Sequence, residues 1–335
     1  IPLHEHAEKL TAYLGREVKY IDDVCGPAAQ QEVKDLKPGE AVLLGNLRYL
    51  TEEISTFENA VKLAPAEMLD TYLVRSLAPL CDFYVNDAFA AAHRSAPSMV
   101  AFQELLPTAA GELMAREVGA LDNVMGHPEK PCVFILGGAK ISDAFGMMRR
   151  VLQNGTADKI ITGGITGEIM LLAQGVRLGD TKEKFIKDRA LDVFIKDAKE
   201  YLMDYPGKIE FPADLAYARN GRRVEVSVND LPLEEMFMDI GSRTIEKYQK
   251  IIQDAKTIFV NGPAGVYENG LFEKGTKSIW NAIADATGYS VIGGGDTVSA
   301  AQKFIDIKKI DYVCTAGGAM VQYLSGDKLP LIEAV

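Results

Sequence analysis

Residues 290–297 read Ser-Val-Ile-Gly-Gly-Gly-Asp-Thr: a short apolar run, three glycines, then a carboxylate and a hydroxyl. The residues that follow place Val298, Ala301 and Ile305 on one face of a helix. The same order of apolar run and glycine turn recurs along the chain. Residues 131–136 lead into Gly137-Gly138-Ala139-Lys140, with Ile141, Phe145, Met148 and Leu152 on one helical face beyond. Residues 159–161 pass through Thr162 into Gly163-Gly164, and 257–260 run into Asn261-Gly262-Pro263-Ala264-Gly265. Residues 312–314 pass through Thr315-Ala316 into Gly317-Gly318-Ala319. Short apolar strands alternating with helices predict a mostly parallel sheet covered on both faces, an α/β fold. Ligands of such sheets bind outside the carboxyl ends of the strands, so these corners are expected to meet at one rim and form a nucleotide or phosphate site.

Working outward, the 335 residues suffice for two domains. A formal charge of −11 disfavours nucleic acid and anionic membranes as partners. It leaves room for a small anion gathered by local Arg and Lys. Cys25, Cys81, Cys132 and Cys314 form no CxxC pair, which argues against a disulfide framework or thiolate zinc site and fits a reducing cytoplasm. No apolar stretch is long enough to span a membrane, and the first residues do not read as a signal peptide.

Before the glycine corners the pattern is sparser. Strands are expected at 41–44 and 83–85, a helix over 64–77, and a looser region over 97–111. Residues 112–125 (ELMAREVGALDNVM) predict a helix that Gly126-His127-Pro128 ends, placing a domain connector there. Residues 206–233 alternate polar and apolar around Asn220-Gly221, which predicts a hairpin-like excursion. The run 182–187 reads as an exposed helix face.

Of these segments, 293–297 carries the most chemistry. Its glycines admit close approach of an anion, the helix start offers unpaired N–H groups, and Asp296 suits Mg²⁺. The plainer alternative is that Asp296 or Thr297 caps the helix. Lys140 just past a strand end could neutralise phosphate in transit, or could be a solvated loop lysine. Arg48 and Arg94 have the fork that suits carboxylate and phosphate, and equally suits a surface ion pair. Residues 270–277 nearly spell a Walker A loop, but Lys and Thr are in the wrong order and no strand leads in.

Six segments together resemble one family. LLGNLRY (43–49), VNDAFAAAHR (85–94), LGGAKISD (136–143), VNGPAGVYE (260–268), GGGDT (293–297) and TAGGA (315–319) look like the signature segments of phosphoglycerate kinase, in the family's order and from end to end of the chain. The surroundings of Pro97 and Ala144 resemble archaeal members. The resemblance implies two Rossmann-like doubly wound domains joined by a helix and hinge. The divisions are 1–111 for phosphoglycerate, the helix 112–126, 127–320 for nucleotide, and 321–335 returning toward the first domain. It implies reversible phosphoryl transfer between 1,3-bisphosphoglycerate with ADP and 3-phosphoglycerate with ATP, carried as Mg²⁺ complexes, in a cytoplasmic monomer or homodimer. Domain closure would bring the two ligands together for in-line transfer.

Carried over by motif, Arg48 and Arg94 would hold phosphoglycerate, and Lys140 would stabilise the phosphoryl group in flight. Gly137 and Gly138 would border the nucleotide, Gly163 and Gly164 would line the adenine pocket, and Asn261 and Pro263 would touch the nucleotide. Glu268 would bind the ribose, Asp296 the Mg²⁺, and Thr297 with the amides of Gly294 and Gly295 the phosphates. Gly317 and Gly318 would present a helix N-terminus to the transferring group. Two departures stand out. The family usually begins with a further ~70 residues, so an incomplete first domain, nucleotide binding and poor turnover are expected of this chain taken literally. Ala144 stands where many members have a second lysine.

Two other readings are set against this one. A dehydrogenase on a doubly wound sheet lacks support because no GxGxxG occurs. A non-catalytic nucleotide-binding relative is the other.

Overall fold

In the computed structural model, which describes residues 1–335, the chain divides into two units. The first is Ile1–Ala115 together with Lys328–Val335; the second is Arg116–Asp327. In the first unit, strand β1 (Val18–Tyr20) pairs in parallel with β2 (Ala41–Leu43), and β3 (Tyr84–Asn86) in parallel with β4 (Thr108–Ala110). The short C-terminal helix Pro330–Ala334 belongs here: the Leu331 N–H donates to the Ala92 carbonyl at 3.2 Å, and Leu331 is fully buried.

Two expectations for this unit need correction. Residues 64–77 are not one helix but a 3-10 segment, Pro65–Asp70, followed by a helix, Tyr72–Leu77. Thr71 between them is extended (ψ 153°), and its hydroxyl donates to the Met68 carbonyl at 2.6 Å. The new helix start is then satisfied from outside, because the Glu52 carboxylate accepts from the N–H groups of Tyr72 and Leu73 at 3.2 and 2.7 Å. Periodicity could not reveal a cap twenty positions upstream. The region 97–111 also holds β4, a Thr-Ala-Ala strand too short and too small-chained to register as an apolar run.

In the second unit the glycine corners fall where the sequence puts them. Strands β5 (Cys132–Leu136), β6 (Lys159–Thr162), β7 (Ile209–Glu210), β11 (Thr257–Asn261), β12 (Tyr289–Ile292) and β13 (Tyr312–Val313) form one sheet in the order β13-β12-β11-β5-β6-β7. Every pairing is parallel. From β5 the chain winds one way through β6 to β7, then returns to the other side of β5 and winds through β11, β12 and β13. The reversal lies between β5 and β11, the position where open α/β sheets bind ligands. Asn261 lies opposite Leu136, which lies opposite Thr162, so the corners leave the sheet level with one another. β5 and β11 are buried throughout, as apolar runs without alternation predict for a sheet covered on both faces.

The intervening β8 (Asp214–Arg219), β9 (Arg222–Ser227) and β10 (Asp239–Ile240) make a separate antiparallel sheet. Asn220 and Gly221 connect β8 to β9 with φ of 51° and 70°, the two positive values that a type I′ hairpin turn needs. A helix spans Glu112–Met125, over the residues its sequence predicts. No helix is long and apolar enough to cross a membrane.

One core lies between the sheet and the helices Ser242–Asp254 and Lys274–Asp285, where Tyr248 and Trp280 are buried. The Tyr248 hydroxyl donates to the Thr162 carbonyl at 2.8 Å, the last residue of β6. Tyr248→Phe leaves that carbonyl short of a partner, and should lower unfolding free energy by about 1–2 kcal/mol. Trp280, the only tryptophan, reports on this unit: its emission should show a lower denaturation midpoint in the variant. An unchanged midpoint would mean the bond contributes nothing.

Candidate active site

The corners are tied to one another by their own backbone. The Gly137 N–H donates to the Asn261 carbonyl (2.9 Å), Gly138 to Pro263 (2.8 Å) and Gly164 to Ala264 (2.8 Å). Just beyond the ends of β5 and β11 the two backbones lie so close that a methyl group on Gly137 would lie 2.3 Å from the Pro263 oxygen, and one on Gly262 would lie 2.2 Å from the Gly137 oxygen. Only glycine permits this approach. Farther along the rim, the Asn261 amide donates to the Gly293 carbonyl at 3.0 Å and the Gly262 N–H donates to Thr297 Oγ1 at 2.8 Å. A methyl group on Gly317 would lie 3.3 Å from the Gly294 Cα, so the last two corners also touch.

Four helices begin at these corners: Ile141–Gln153, Gly164–Ala173, Gly295–Phe304 and Gly317–Ser325. None has a side chain bonded to its first N–H groups. The capping role considered for Asp296 and Thr297 is therefore not the one found. Asp296 is exposed in the first turn and makes no hydrogen bond or ion pair, while Thr297 is buried and its hydroxyl serves Gly262. The Gly164 N–H is taken by the Ala264 carbonyl, while the first amides of the other three helices stay available to an anion.

A cavity of about 380 Å³ opens beside the corners, the size of a small-molecule site. Of the expected residues, Gly138, Gly164, Pro263, Glu268 and Asp296 line it. Gly137 and Gly163 are buried and face the core around Tyr248 and Trp280. Asn261 and Thr297, expected at the nucleotide, are buried and hold neighbouring corners together. Lys140 is exposed at the start of its helix, two residues beyond Gly138. Gly294, Gly295, Gly317 and Gly318 stand at the two remaining helix starts rather than on the cavity wall. Ala144 is fully buried.

Arg48 and Arg94 meet in the first unit, lining a cleft of about 520 Å³ with Gly45, Asn46, Glu53 and Ser98. Arg48 is exposed. Arg94 is 9% exposed and already engaged: its Nη2 donates to the Glu53 carbonyl (2.9 Å) and pairs with Glu58 (3.1 Å), while its Nε is buried without a partner. Burial pushes the Glu53 carboxyl up, against two bonds from Ser98 at 2.6 and 2.7 Å.

The cavity also contains residues the sequence did not single out. Lys182 lies in the run expected to be an exposed face, yet is 4% exposed, with its Nζ 2.8 Å from Glu168 Oε1. Only Lys184 and Lys187 of that run face solvent. Glu168 stands alone among apolar residues in GITGEIMLLA, a signal that could have marked it; nothing in the sequence marks Lys182. Asp239 at the cavity wall accepts from Arg223 at 2.7 Å and the Gly275 N–H at 2.8 Å.

A model of the phosphoglycerate kinase family matches residues 1–327. The chain belongs to the phosphoglycerate kinase family. The phosphoglycerate kinase of Methanothermobacter thermautotrophicus is 43% identical over 333 residues, covering 99% of this chain and 79% of that protein. That of Thermococcus onnurineus is 42% identical over 342 residues, covering 100% and 80%. The crystal structure of phosphoglycerate kinase from Pyrococcus horikoshii superposes with a TM-score of 0.85 at 37% identity, covering all of this chain and 82% of that one. The Coxiella burnetii structure gives 0.84 at 30%, covering 100% and 80%. The archaeal character expected from the sequence agrees with these relatives. As a phosphoglycerate kinase the chain is a phosphotransferase with a carboxyl group as acceptor, and ATP is a substrate. The dehydrogenase reading falls.

Burial pushes the Asp239 carboxyl up to about 6, against the bonds from Gly275 and Arg223. A carboxyl raised on folding favours the folded state while protonated. Its contribution is present below the ordinary value of about 4 and is lost as pH rises toward 6. A carboxyl-carbon NMR titration should give Asp239 a midpoint near 6. A midpoint near or below 4 would show that Arg223 outweighs burial.

Proposed function

We propose that the second unit holds Mg²⁺-ATP or Mg²⁺-ADP in the 380 Å³ cavity, with the polyphosphate running across the glycine corners toward Lys140. The observation that carries this is the set of three open helix starts, at Ile141, Gly295 and Gly317, on the rim of a topological switch point and beside a cavity of suitable size. Glu268, exposed on the cavity wall, suits the ribose hydroxyls as an acceptor. Gly138 and Gly164 border the base. Asn261 and Thr297 act as positioning residues that hold the corners in register.

The donor set fits Mg²⁺. No group of three His, Cys, Asp or Glu forms a protein-only cage, whereas Mg²⁺ characteristically takes one or two carboxylates plus substrate phosphates. Asp296 is exposed and unpaired at the cavity wall. The same wall carries four carboxylates, Glu168, Asp239, Glu268 and Asp296, against Lys182. A bare polyphosphate would be repelled by such a wall. When bound, the metal would neutralise phosphate charge and polarise the transferring group.

Transfer needs no proton-moving side chain, because the acyl phosphate and nucleotide oxygen exchange the group directly. Positioning and charge stabilisation are the protein's contribution. Lys140 supplies a mobile positive charge, and the amides at Gly294, Gly317 and Gly318 supply fixed partial charges. With Ala144 buried and Lys182 tied to Glu168, Lys140 carries this role without a second free lysine nearby. In the first unit, Arg48 and Arg94 are assigned to the acid's anionic groups.

Asp296→Ala should remove most of the Mg²⁺ dependence of ADP binding, read by calorimetry with and without the metal. Unchanged dependence would place the metal elsewhere. Lys140→Ala should lower kcat by about 10²–10³-fold with little change in nucleotide affinity, since its charge matters most in the transition state. Equal losses in both would make it a ground-state contact.

A further inference from the structure

Glu168 and Lys182 form a buried ion pair on the wall of the nucleotide cavity, and the pair is not closed on itself. Both residues are 4% exposed. Lys182 Nζ donates to Glu168 Oε1 at 2.8 Å and to the Phe237 carbonyl at 2.8 Å, and lies 5.0 Å from the centre of the Phe185 ring. Glu168 Oε2 is buried with no hydrogen-bond partner. Burying an ion pair costs desolvation, and leaving one carboxylate oxygen without a donor adds to it. Packing alone would be served as well by two apolar residues. A donor arriving in the cavity would complete the set.

The surroundings limit what that donor can be. Ile165, Leu215, Met236 and Met238 line the cavity around the pair, which suits the faces of a flat, apolar ring. With Oε1 held by Lys182, the carboxylate cannot clamp two adjacent N–H groups with both oxygens, as the edge of guanine would ask. One free oxygen suits one amino group. Resting on the nucleotide reading above, we infer that Glu168 Oε2 accepts a hydrogen bond from the exocyclic amino group of adenine, making the Glu168–Lys182 pair the element that selects a 6-amino purine over its 6-oxo counterparts.

Lys182 also makes the inference testable by inversion. In Glu168→Gln the ammonium keeps the amide oxygen at the Oε1 position, so the amide NH₂ takes the place of Oε2. An acceptor facing the base becomes a donor. The native chain, titrated calorimetrically with Mg²⁺ present, should bind ADP about tenfold or more tightly than IDP or GDP, the span of one hydrogen bond to a charged group. In Glu168→Gln the ADP-to-IDP ratio should fall by about tenfold or more, toward parity or reversal. Taking the ratio within one variant cancels any general loss of fold. Should Glu168→Gln fail to fold, the double change Glu168→Leu with Lys182→Met removes the pair without stranding a charge, and should bind both nucleotides with similar affinity. Equal native affinity for ADP and IDP, or a ratio unmoved by either change, overturns the inference and leaves the nucleotide site standing. Native protein that binds none of the three nucleotides overturns both.

Discussion

The structure depends on two strands ending side by side with nothing between them. β5 and β11 leave the sheet together, and their backbones meet at Gly137 and Gly262 closely enough that any side chain there would strike a carbonyl. Three backbone bonds, from Gly137, Gly138 and Gly164, then lock the corners. That contact sets the spacing of the helix starts on either side. At Ile141, Gly295 and Gly317 no side chain caps the first amides, which on the proposed reading form a surface for anions. A protein with a formal charge of −11 can thus receive a polyanion. On the proposed reading the attraction would come from backbone dipoles, Lys140 and a metal on Asp296 acting within a Debye length, while salt screens the chain's more distant charges.

Much of this was legible because it is local. Apolar runs without alternation, each ending in glycine, gave β5, β6, β11, β12 and β13 within a residue or two. Asn220-Gly221 gave the hairpin turn. The same logic reached the cavity at Gly138, Gly164, Pro263 and Asp296, all on a corner, and the family resemblance added Glu268. What was not legible is what distant chain imposes. The break at Thr71 depends on Glu52, and β4 becomes a strand only because β3 offers it an edge. Lys182 sits in a run of charges identical in appearance to a solvated face, and only the fold reveals that one lysine turns inward to Glu168. Asn261 and Thr297 were expected at the ligand from the family resemblance alone; only the fold reveals that their side chains also tie the corners together.

The buried polar groups divide by whether their partners are complete. Those that are hold the scaffold: Tyr248 on Thr162, and Asp214 on the N–H groups of Arg243 and Thr244 at 2.9 and 2.8 Å. Of the atoms that are not met, Gln103 Nε2 and Oε1, Glu117 Oε2 and Thr166 Oγ1 lie on neither cleft, and the other three lie on one of them. Glu168 Oε2 and Asp239 Oδ1 are at the cavity of the second unit, and Arg94 Nε is at the cleft of the first.

The claim that the glycine corners form the nucleotide's phosphate cradle is tested most directly by amide chemical-shift mapping on the ¹⁵N-labelled chain as Mg²⁺-ADP is added. The largest shifts should fall on the amides of Gly294, Gly295, Gly317 and Gly318, at the two helix starts, with the first unit little changed. Saturable binding whose shifts cluster around Arg48 and Arg94, leaving those four amides still, would contradict it.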